Sequence, residues 1–169
     1  ITHDSRLGKR QMNQDRLGWA HTDDALLLVL CDGMGGHRHG EIAAQIVVDH
    51  CLRVFRHAAR PRLDDPRRFL SDSLLDAHWA INNYASLRAI PLDDAPRTTC
   101  VACVIQDGLA TIAHTGDSRA YLVRNGQTRT RTYDHSRVQM LIDAGELSEE
   151  QAQTHPQRNL VITCLGGDI

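Results

Sequence analysis

Residues 98–132 read TTCVACVIQDGLATIAHTGDSRAYLVRNGQTRTRT. This segment contains four strand-like runs rich in apolar and β-branched residues, at residues 98–105, 109–114, 118–123 and 128–132. Asp107-Gly108 and Asn125-Gly126 each separate two of these runs, and both dipeptides are strong signals for tight hairpin turns. The segment therefore predicts an antiparallel meander and weighs against a doubly wound nucleotide-binding fold, whose sheet is mostly parallel.

The residues before this segment predict two more strands and two helices. Residues 14–21 and 25–31 have strand character and are joined by a polar turn. Residues 41–56 predict a helix with one apolar stripe, formed by Ile42, Ile46, Val47, Cys51 and Val54. A second helix is expected to begin at Asp65-Pro66, an N-cap followed by proline in the first turn.

Two short helices are predicted after the meander. Asp134 is expected to cap a helix that continues through Ile142 and ends at Gly145. Residues 148–151 read Ser-Glu-Glu-Gln, the capping-box pattern for another helix. Together these patterns predict an α+β protein in which helices pack on antiparallel sheet.

The composition is that of an ordinary globular protein. The chain has 169 residues, of which 41% are apolar and 24% charged, enough for one domain with a hydrophobic core. The net charge of -2 gives no support to binding of nucleic acid or of an anionic membrane. The five cysteines are an odd number without a secretory signal, which favours reduced thiols and a cytoplasmic location.

An acidic residue followed by glycines ends the apolar run at residues 25–31. Residues 32–36 read Asp-Gly-Met-Gly-Gly. A strand end holds the Asp32 carboxylate in place, and glycine at position 33 lets a backbone carbonyl approach a ligand without a Cβ in the way. Carboxylate and carbonyl oxygens are preferred ligands of Mg²⁺ and Mn²⁺. Taken alone, a tight turn into the next helix explains these residues equally well.

Two further segments carry an acidic residue at a predicted turn. Arg10 precedes Asp15 by five residues, and arginine can bind a phosphate through two parallel hydrogen bonds. Residues 114–121 place Asp117 beside a glycine, between two predicted strands. A surface arginine and ordinary turn aspartates are the simpler explanation of each segment alone.

Taken together, the three segments resemble the PPM (type 2C) family of metal-dependent protein serine/threonine phosphatases, in its bacterial form. The family's N-terminal motif is matched by Arg10 with Asn-Gln-Asp at residues 13–15, and its metal loop by residues 32–36. Later family motifs are matched by Gly-Glu-Ile-Ala-Ala at 40–44, Thr-Thr at 98–99, Gly-Asp-Ser-Arg-Ala-Tyr at 116–121, Asp-His-Ser at 134–136 and Leu-Gly-Gly at 165–167. Order and spacing fit over nearly the whole chain.

The resemblance implies an αββα sandwich, in which two stacked antiparallel sheets are flanked by helices. Residues 1–169 are expected to form a single phosphatase catalytic domain that is incomplete at its C-terminus. The family takes further metal-binding aspartates from Ser-Asp-Gly and Asp-Asn motifs, and neither motif follows Gly167. This segment alone is therefore expected to be inactive.

The resemblance also implies the residues of the site. Asp32 is expected to bridge two Mg²⁺ or Mn²⁺ ions, the Gly33 carbonyl to bind one of them, and Asp15 to support the cluster through water. Asp117 is expected to join a third, weaker metal. Arg10 is expected to hold the substrate phosphate, which makes Arg10 and Asp32 the expected catalytic residues. A hydroxide bridging the two ions would attack phosphorus in line and hydrolyse phosphoserine or phosphothreonine.

The chain departs from the family pattern at the candidate general acid. Some members carry a histidine in the metal loop where this chain has Met34, which cannot donate a proton. His37 and His39 are close in sequence, but solvent-facing loop histidines are the simpler interpretation.

Three functions stay open on the residues. The leading hypothesis is a bacterial signalling phosphatase, monomeric and cytoplasmic, whose substrates are proteins phosphorylated by a serine/threonine kinase; neither nucleic acid nor membrane is an expected partner. The first alternative is a non-catalytic PPM-fold regulatory or binding module, which would not need to retain Arg10, Asp15, Asp32 and Asp117. The second alternative is a metal-dependent hydrolase of small phosphoesters, which the sequence does not separate from the leading hypothesis.

Overall fold

The computed structural model describes residues 1–34 and 39–167. Its elements, in chain order, are β1 (Asp15–His21), β2 (Ala25–Asp32), α1 (Gly40–Ala58), α2 (Pro66–Leu87), β3 (Cys100–Gln106), β4 (Leu109–Thr115), β5 (Tyr121–Arg124), β6 (Gln127–Arg131), α3 (Arg137–Asp143) and α4 (Glu149–Thr154). A short 3-10 helix, Leu92–Asp94, precedes β3. No described helix combines the length and apolar character that crossing a membrane requires.

The strands form two antiparallel sheets. Strands β1 to β4 pair in sequence order in a four-stranded sheet, and β5 and β6 form a two-stranded sheet. In the turns Asp107-Gly108 and Asn125-Gly126 the first residue has a φ of 52° and the glycine a φ of 73°. Two successive residues in the left-handed region form a type I′ hairpin turn. The predicted α+β class, with two antiparallel sheets and flanking helices, is confirmed. The predicted meander is interrupted, because residues 116–120 carry the chain from one sheet to the other.

The hydrophobic core lies between the four-stranded sheet and helices α1 and α2. Alternate residues of β2 and β3 face the helices, since side chains of a strand alternate between its two faces. The buried members of these strands are Ala25, Leu27, Val29, Cys31, Cys100, Ala102 and Val104. Helix α1 contributes Ala43, Ala44 and Val47, and α2 contributes Leu70 and Ile81. Small residues near the start of α1 let this helix approach the end of β2 closely.

Capping residues set where the helices begin. As predicted, Asp65 caps α2 by accepting hydrogen bonds from the first backbone N–H groups, and Ser148 forms a capping box at α4. The prediction that Asp134 caps the next helix is wrong, because Ser136 is the N-cap of α3. Asp134 instead accepts two hydrogen bonds from the Arg119 guanidinium, at 2.5 and 2.6 Å. This ion pair ties the segment after β6 to the segment before β5.

Candidate metal centre

Three aspartates lie at one end of the four-stranded sheet. Asp15 is the first residue of β1, Asp32 is the last residue of β2, and the two are direct partners in the antiparallel register. The side chains of such partners lie on the same face of the sheet, with Cβ atoms typically about 4.5–5.5 Å apart. Asp117 follows Gly116 after the end of β4. Strands β2 and β4 run in the same direction, so their carboxyl ends meet at this end of the sheet.

The environment of Asp32 shows that these carboxylates act on one another. The pKa of Asp32 is raised from its usual 3.8 to about 6, first by burial and then by repulsion from, and a hydrogen bond with, the Asp15 carboxyl. Asp117 adds a smaller repulsion, and the positive charge of Arg10 acts in the opposite direction. Because ionising this cluster is unfavourable, a bound cation would stabilise it.

Glycine at position 33 is required by the close approach of helix α1. A Cβ at Gly33 would collide with the backbone carbonyl group of Gly40, the first residue of α1. The sequence interpretation attributed this glycine to ligand access, whereas the described contact is with the helix. The Gly33 N–H donates to the Gln14 carbonyl at 3.2 Å, and the Met34 N–H donates to the Arg97 carbonyl at 3.0 Å. These contacts fix the path of the backbone as it leaves Asp32.

Two buried threonines hold the backbone of Asp32. The Asp32 carbonyl accepts hydrogen bonds from Thr98 Oγ1 and from the Thr99 N–H, both at 2.9 Å. The Asp32 N–H donates to Thr99 Oγ1 at 3.2 Å. Thr98 and Thr99 are 0% and 2% exposed, so both threonines are held in place by the surrounding packing. The carboxylate of Asp32 therefore projects from a backbone whose polar groups are all satisfied.

The residues predicted for the site line one open cavity of about 860 Å³: Arg10, Asp15, Asp32, Gly33 and Asp117. Arg6 and Arg97 also line it, so carboxylates and guanidinium groups share the same space. Metal cations beside the carboxylates, together with an anionic group beside the guanidinium groups, would match this mixture of charges.

The donor atoms of the cavity suit a hard cation. Carboxylate and carbonyl oxygens favour Mg²⁺ or Mn²⁺ over softer metals. Within residues 1–34 and 39–167, however, no group of three or more His, Cys, Asp or Glu side chains could hold a metal by itself. Asp15 and Asp32 touch, whereas Asp117 acts on Asp32 through charge repulsion. Two carboxylates with water are a common way of binding Mg²⁺, so the described residues fit one such ion.

Of the two histidines considered as general acids, only His39 belongs to the described residues. His37, with Gly35 and Gly36 of the predicted metal loop, lies outside the described residues. His39 is the N-cap residue of α1, with a φ of 78°, and the described lining of the cavity does not include it. Met34 does line the cavity, where its thioether cannot donate a proton.

Comparison with known proteins decides the family. A family profile described as protein phosphatase 2C matches residues 3–160. The chain belongs to the protein phosphatase 2C family. The family assignment agrees with the resemblance drawn from the motifs, and the matched residues include every residue of the cavity named above.

This protein phosphatase 2C member is similar to serine/threonine phosphatases of bacteria. Serine/threonine phosphatase stp of Listeria monocytogenes is 32% identical over 160 residues, which cover 93% of this chain and 62% of that protein. Serine/threonine phosphatase Stp1 from Staphylococcus aureus has a similar structure, with a TM-score of 0.86, 34% identity and coverage of 95% of this chain and 63% of that chain.

A metal-bound structure is also similar to this family member. The catalytic domain of serine/threonine protein phosphatase PstP, in complex with two manganese ions, has a TM-score of 0.74 and 29% identity. The comparison covers 92% of this chain and 61% of that chain. This chain therefore spans less than two thirds of the length of each of the three proteins compared.

Sequence reasoning missed residues that shape the site of this family member. Gln14 accepts the Gly33 N–H with its carbonyl, and its side-chain amide donates to Glu41 of α1 at 3.2 Å. Its place in the Asn-Gln-Asp motif was a signal that could have found it. Arg97 lines the cavity, and its guanidinium donates to the Leu92 carbonyl at 3.4 Å. No pattern in the sequence points to Arg97.

Proposed function

We propose that this protein is a metal-dependent phosphatase that hydrolyses phosphoserine and phosphothreonine in proteins. The observation that carries the proposal is the convergence of Asp15, Asp32, Asp117 and Arg10 on one cavity, in a member of the protein phosphatase 2C family. The compared relatives, which are serine/threonine phosphatases, support the same activity.

The oxygen ligands are assigned to Mg²⁺ or Mn²⁺. Asp32 would hold the ions and Asp15 would support them through water, with the Gly33 carbonyl as a further ligand and Asp117 as a ligand of a third, weaker ion. The manganese ions in the similar PstP structure support two main sites. When bound, these ions neutralise charge on the phosphoryl group and activate water for attack on phosphorus. The carboxylates would keep the ions at the end of the sheet, where the strands hold Asp15 and Asp32 side by side.

Arg10 is assigned to the substrate phosphate. Its guanidinium lines the same cavity as the carboxylates and lowers the pKa of Asp32, so its charge reaches the site. A guanidinium can donate two parallel hydrogen bonds to a phosphoryl group, which orients the phosphorus as well as binding it. Arg10 would thus stabilise the negative charge that develops during transfer to water.

The wider biology of the protein is part of the same proposal. We assign residues 1–169 to a single catalytic domain of a monomeric, cytoplasmic enzyme whose substrates are made by a serine/threonine kinase. Because Asp15 and Asp32 are the touching carboxylates in the described part, residues 1–169 by themselves are proposed to bind two ions weakly and to release little phosphate.

The test measures phosphate release from a phosphothreonine peptide by the natural full-length protein, with Mn²⁺ or with EDTA. The wild type should release phosphate with Mn²⁺ alone, and Asp32→Asn should lower the rate by more than about a hundredfold, since even residues supporting a ligand contribute about 10–100-fold. Asp72→Asn is the control, because Asp72 is an exposed residue of α2 paired with Arg68. A rate for Asp32→Asn within about threefold of wild type would refute the assignment.

The same assay separates the two alternatives. A wild-type protein that binds the phosphopeptide but releases no phosphate with either ion would be a binding or regulatory module. Catalytic efficiency much higher on p-nitrophenyl phosphate than on phosphopeptides would indicate a hydrolase of small phosphoesters.

A further inference from the structure

One side-chain hydroxyl lies between the two segments that carry Asp32 and Asp117. Thr99 Oγ1 accepts a hydrogen bond from the Asp32 N–H at 3.2 Å. The same oxygen is 2.7 Å from the hydroxyl oxygen of Ser118, the residue after Asp117. A continuous chain of hydrogen bonds therefore joins the end of β2 to the loop after β4.

The direction of the hydrogen bonds follows from the chemistry of the groups. A backbone N–H can only donate, so Thr99 Oγ1 is the acceptor toward Asp32 and can donate its own hydrogen to Ser118. Thr99 is 2% exposed, and loss of its hydroxyl would leave the Asp32 N–H without its side-chain acceptor. The two hydrogen bonds thus depend on one atom.

The methyl group of Thr99 fixes the same loop by packing. A Cβ at Gly116 would lie 2.5 Å from Thr99 Cγ2, and Gly116 has a φ of 95°, so only glycine fits against this threonine. On its other side the loop is held by the His135 N–H, which donates to the Gly116 carbonyl at 2.9 Å. The loop that carries Asp117 is therefore held between Thr99 and His135.

We propose that Thr99 is a positioning residue that sets the separation of Asp32 from Asp117. The consequence for metal binding rests on the proposed function, because Asp32 and Asp117 are its assigned ligands. Thr98 provides the contrast within the same motif, since its hydroxyl bonds to the Asp32 and Thr99 carbonyls and not to the Asp117 loop. Thr99 alone of the two reaches both carboxylate-bearing segments.

Mn²⁺ binding tests the consequence for the metal. Free Mn²⁺ is measured by electron paramagnetic resonance during titration of wild type, Thr99→Val, Thr99→Ser and Thr98→Val. Thr99→Val removes the hydroxyl at nearly constant volume and should weaken Mn²⁺ binding about tenfold, whereas Thr99→Ser should stay within about threefold of wild type. A Thr99→Val affinity within about twofold of wild type would overturn the proposal.

Amide hydrogen exchange in EDTA tests the positioning itself, without metal or turnover. In Thr99→Val, the amides of Asp32 and His135 should both exchange about fivefold faster relative to core amides. The Asp32 amide loses its acceptor, and the His135 amide bonds to a loop that has lost its hydrogen bond to Thr99, each bond contributing about 1 kcal/mol. Thr98→Val should leave the His135 amide unchanged on the same scale. Unchanged exchange at His135 in Thr99→Val would refute the link between the segments. A wild type that binds no Mn²⁺ would instead refute the proposed function, and the exchange result would still decide the role of Thr99.

Discussion

Replacing Asp32 by asparagine should make the metal-free protein more stable while removing its stabilisation by metal. In the folded chain, Asp32 lies beside the Asp15 carboxyl and within reach of Asp117, and its pKa is raised to about 6. Asparagine has nearly the same shape, carries no charge, and can donate its amide hydrogens to Asp15. The substitution therefore removes the repulsion and leaves the backbone contacts of this position in place.

The sign and size of the effect follow from the pKa change. A carboxyl whose pKa rises on folding binds its proton more tightly when folded, so stability falls as the pH rises from 3.8 to about 6. That change corresponds to roughly 3 kcal/mol at neutral pH. The Asp32 residue as a whole is exposed although its carboxyl is partly desolvated, so solvent screens much of the repulsion and we expect about 1 kcal/mol. In a domain of this size that is roughly 2–4 °C in Tm.

Scanning calorimetry at two pH values and two metal conditions measures the effect. In EDTA, Asp32→Asn should melt higher than wild type near pH 7.5, and the difference should vanish near pH 4, where the wild-type carboxyl is protonated. With Mn²⁺ at about 100 times its dissociation constant, wild type should gain about 2.7 kcal/mol and become the more stable protein, whereas Asp32→Asn should gain little. Asp72→Asn, on the exposed side of α2, should show neither effect. An Asp32→Asn variant that melts lower than wild type in EDTA at pH 7.5 would refute this reasoning.

Three other substitutions test separate parts of the structure. Arg10→Ala should lower kcat/KM on a phosphopeptide about 10–100-fold, since a hydrogen bond to a charged group contributes about 1.5–3 kcal/mol; unchanged efficiency with weakened Mn²⁺ binding in a titration would contradict its role. Gly116→Ala should destabilise the fold by about 1–3 kcal/mol in urea denaturation, because its Cβ would lie 2.5 Å from Thr99 Cγ2. Gln106→Leu should cost about 2–4 kcal/mol in the same assay, because the buried Gln106 amide bonds both the N–H and the carbonyl of Leu63 at 2.9 Å. An unchanged denaturation midpoint in either of the last two would contradict the contact described.

Local signals in the sequence predicted the features that a few neighbouring residues decide. The turns at Asp107-Gly108 and Asn125-Gly126 and the helix start at Asp65 depend on backbone conformations and caps that the local residues favour. Asp134 is a residue type that often caps helices, but Ser136 is the N-cap of α3. The Asp134 carboxylate instead pairs with Arg119 across the loop. The competing partner is far away in sequence, so no local pattern reveals it.

Tertiary packing, and not the apolar pattern alone, decides which residues of helix α1 are buried. The apolar stripe was expected to include Ile42, Ile46 and Val54, yet these residues are only partly buried. Ala43 and Ala44 are fully buried instead, because the start of the helix lies directly against the end of β2. An apolar pattern favours the largest side chains, whereas close contact of two backbones favours the smallest ones.

The sequence predicted which residues lie at the candidate site, but it did not predict the hydrogen bonds that hold them. The motif matches identified Arg10, Asp15, Asp32, Gly33 and Asp117, and the fold places all five on one cavity. The hydrogen bonds that hold them come from positions whose roles depend on pairing between distant strands. Thr99 had been noted as one half of a Thr-Thr motif, and its two bonds appear only once β2, β3 and the loop after β4 are assembled.

Because the proposed metal ligands Asp15 and Asp32 are direct strand partners, ion affinity would report the alignment of β1 with β2. A slip of β1 by one residue would separate the two carboxylates and turn every β1 side chain to the opposite face. At Gly18, on the helix side of β1, an added Cβ would lie 2.7 Å from Val48 Cγ1 and 2.8 Å from Leu52 Cδ1, so both side chains would have to move. Packing at Gly18 therefore disfavours the slipped register in which the acidic pair would be separated. Screening variant libraries for Mn²⁺ uptake would accordingly sort them by sheet alignment, even where the substituted positions are remote from the acidic residues.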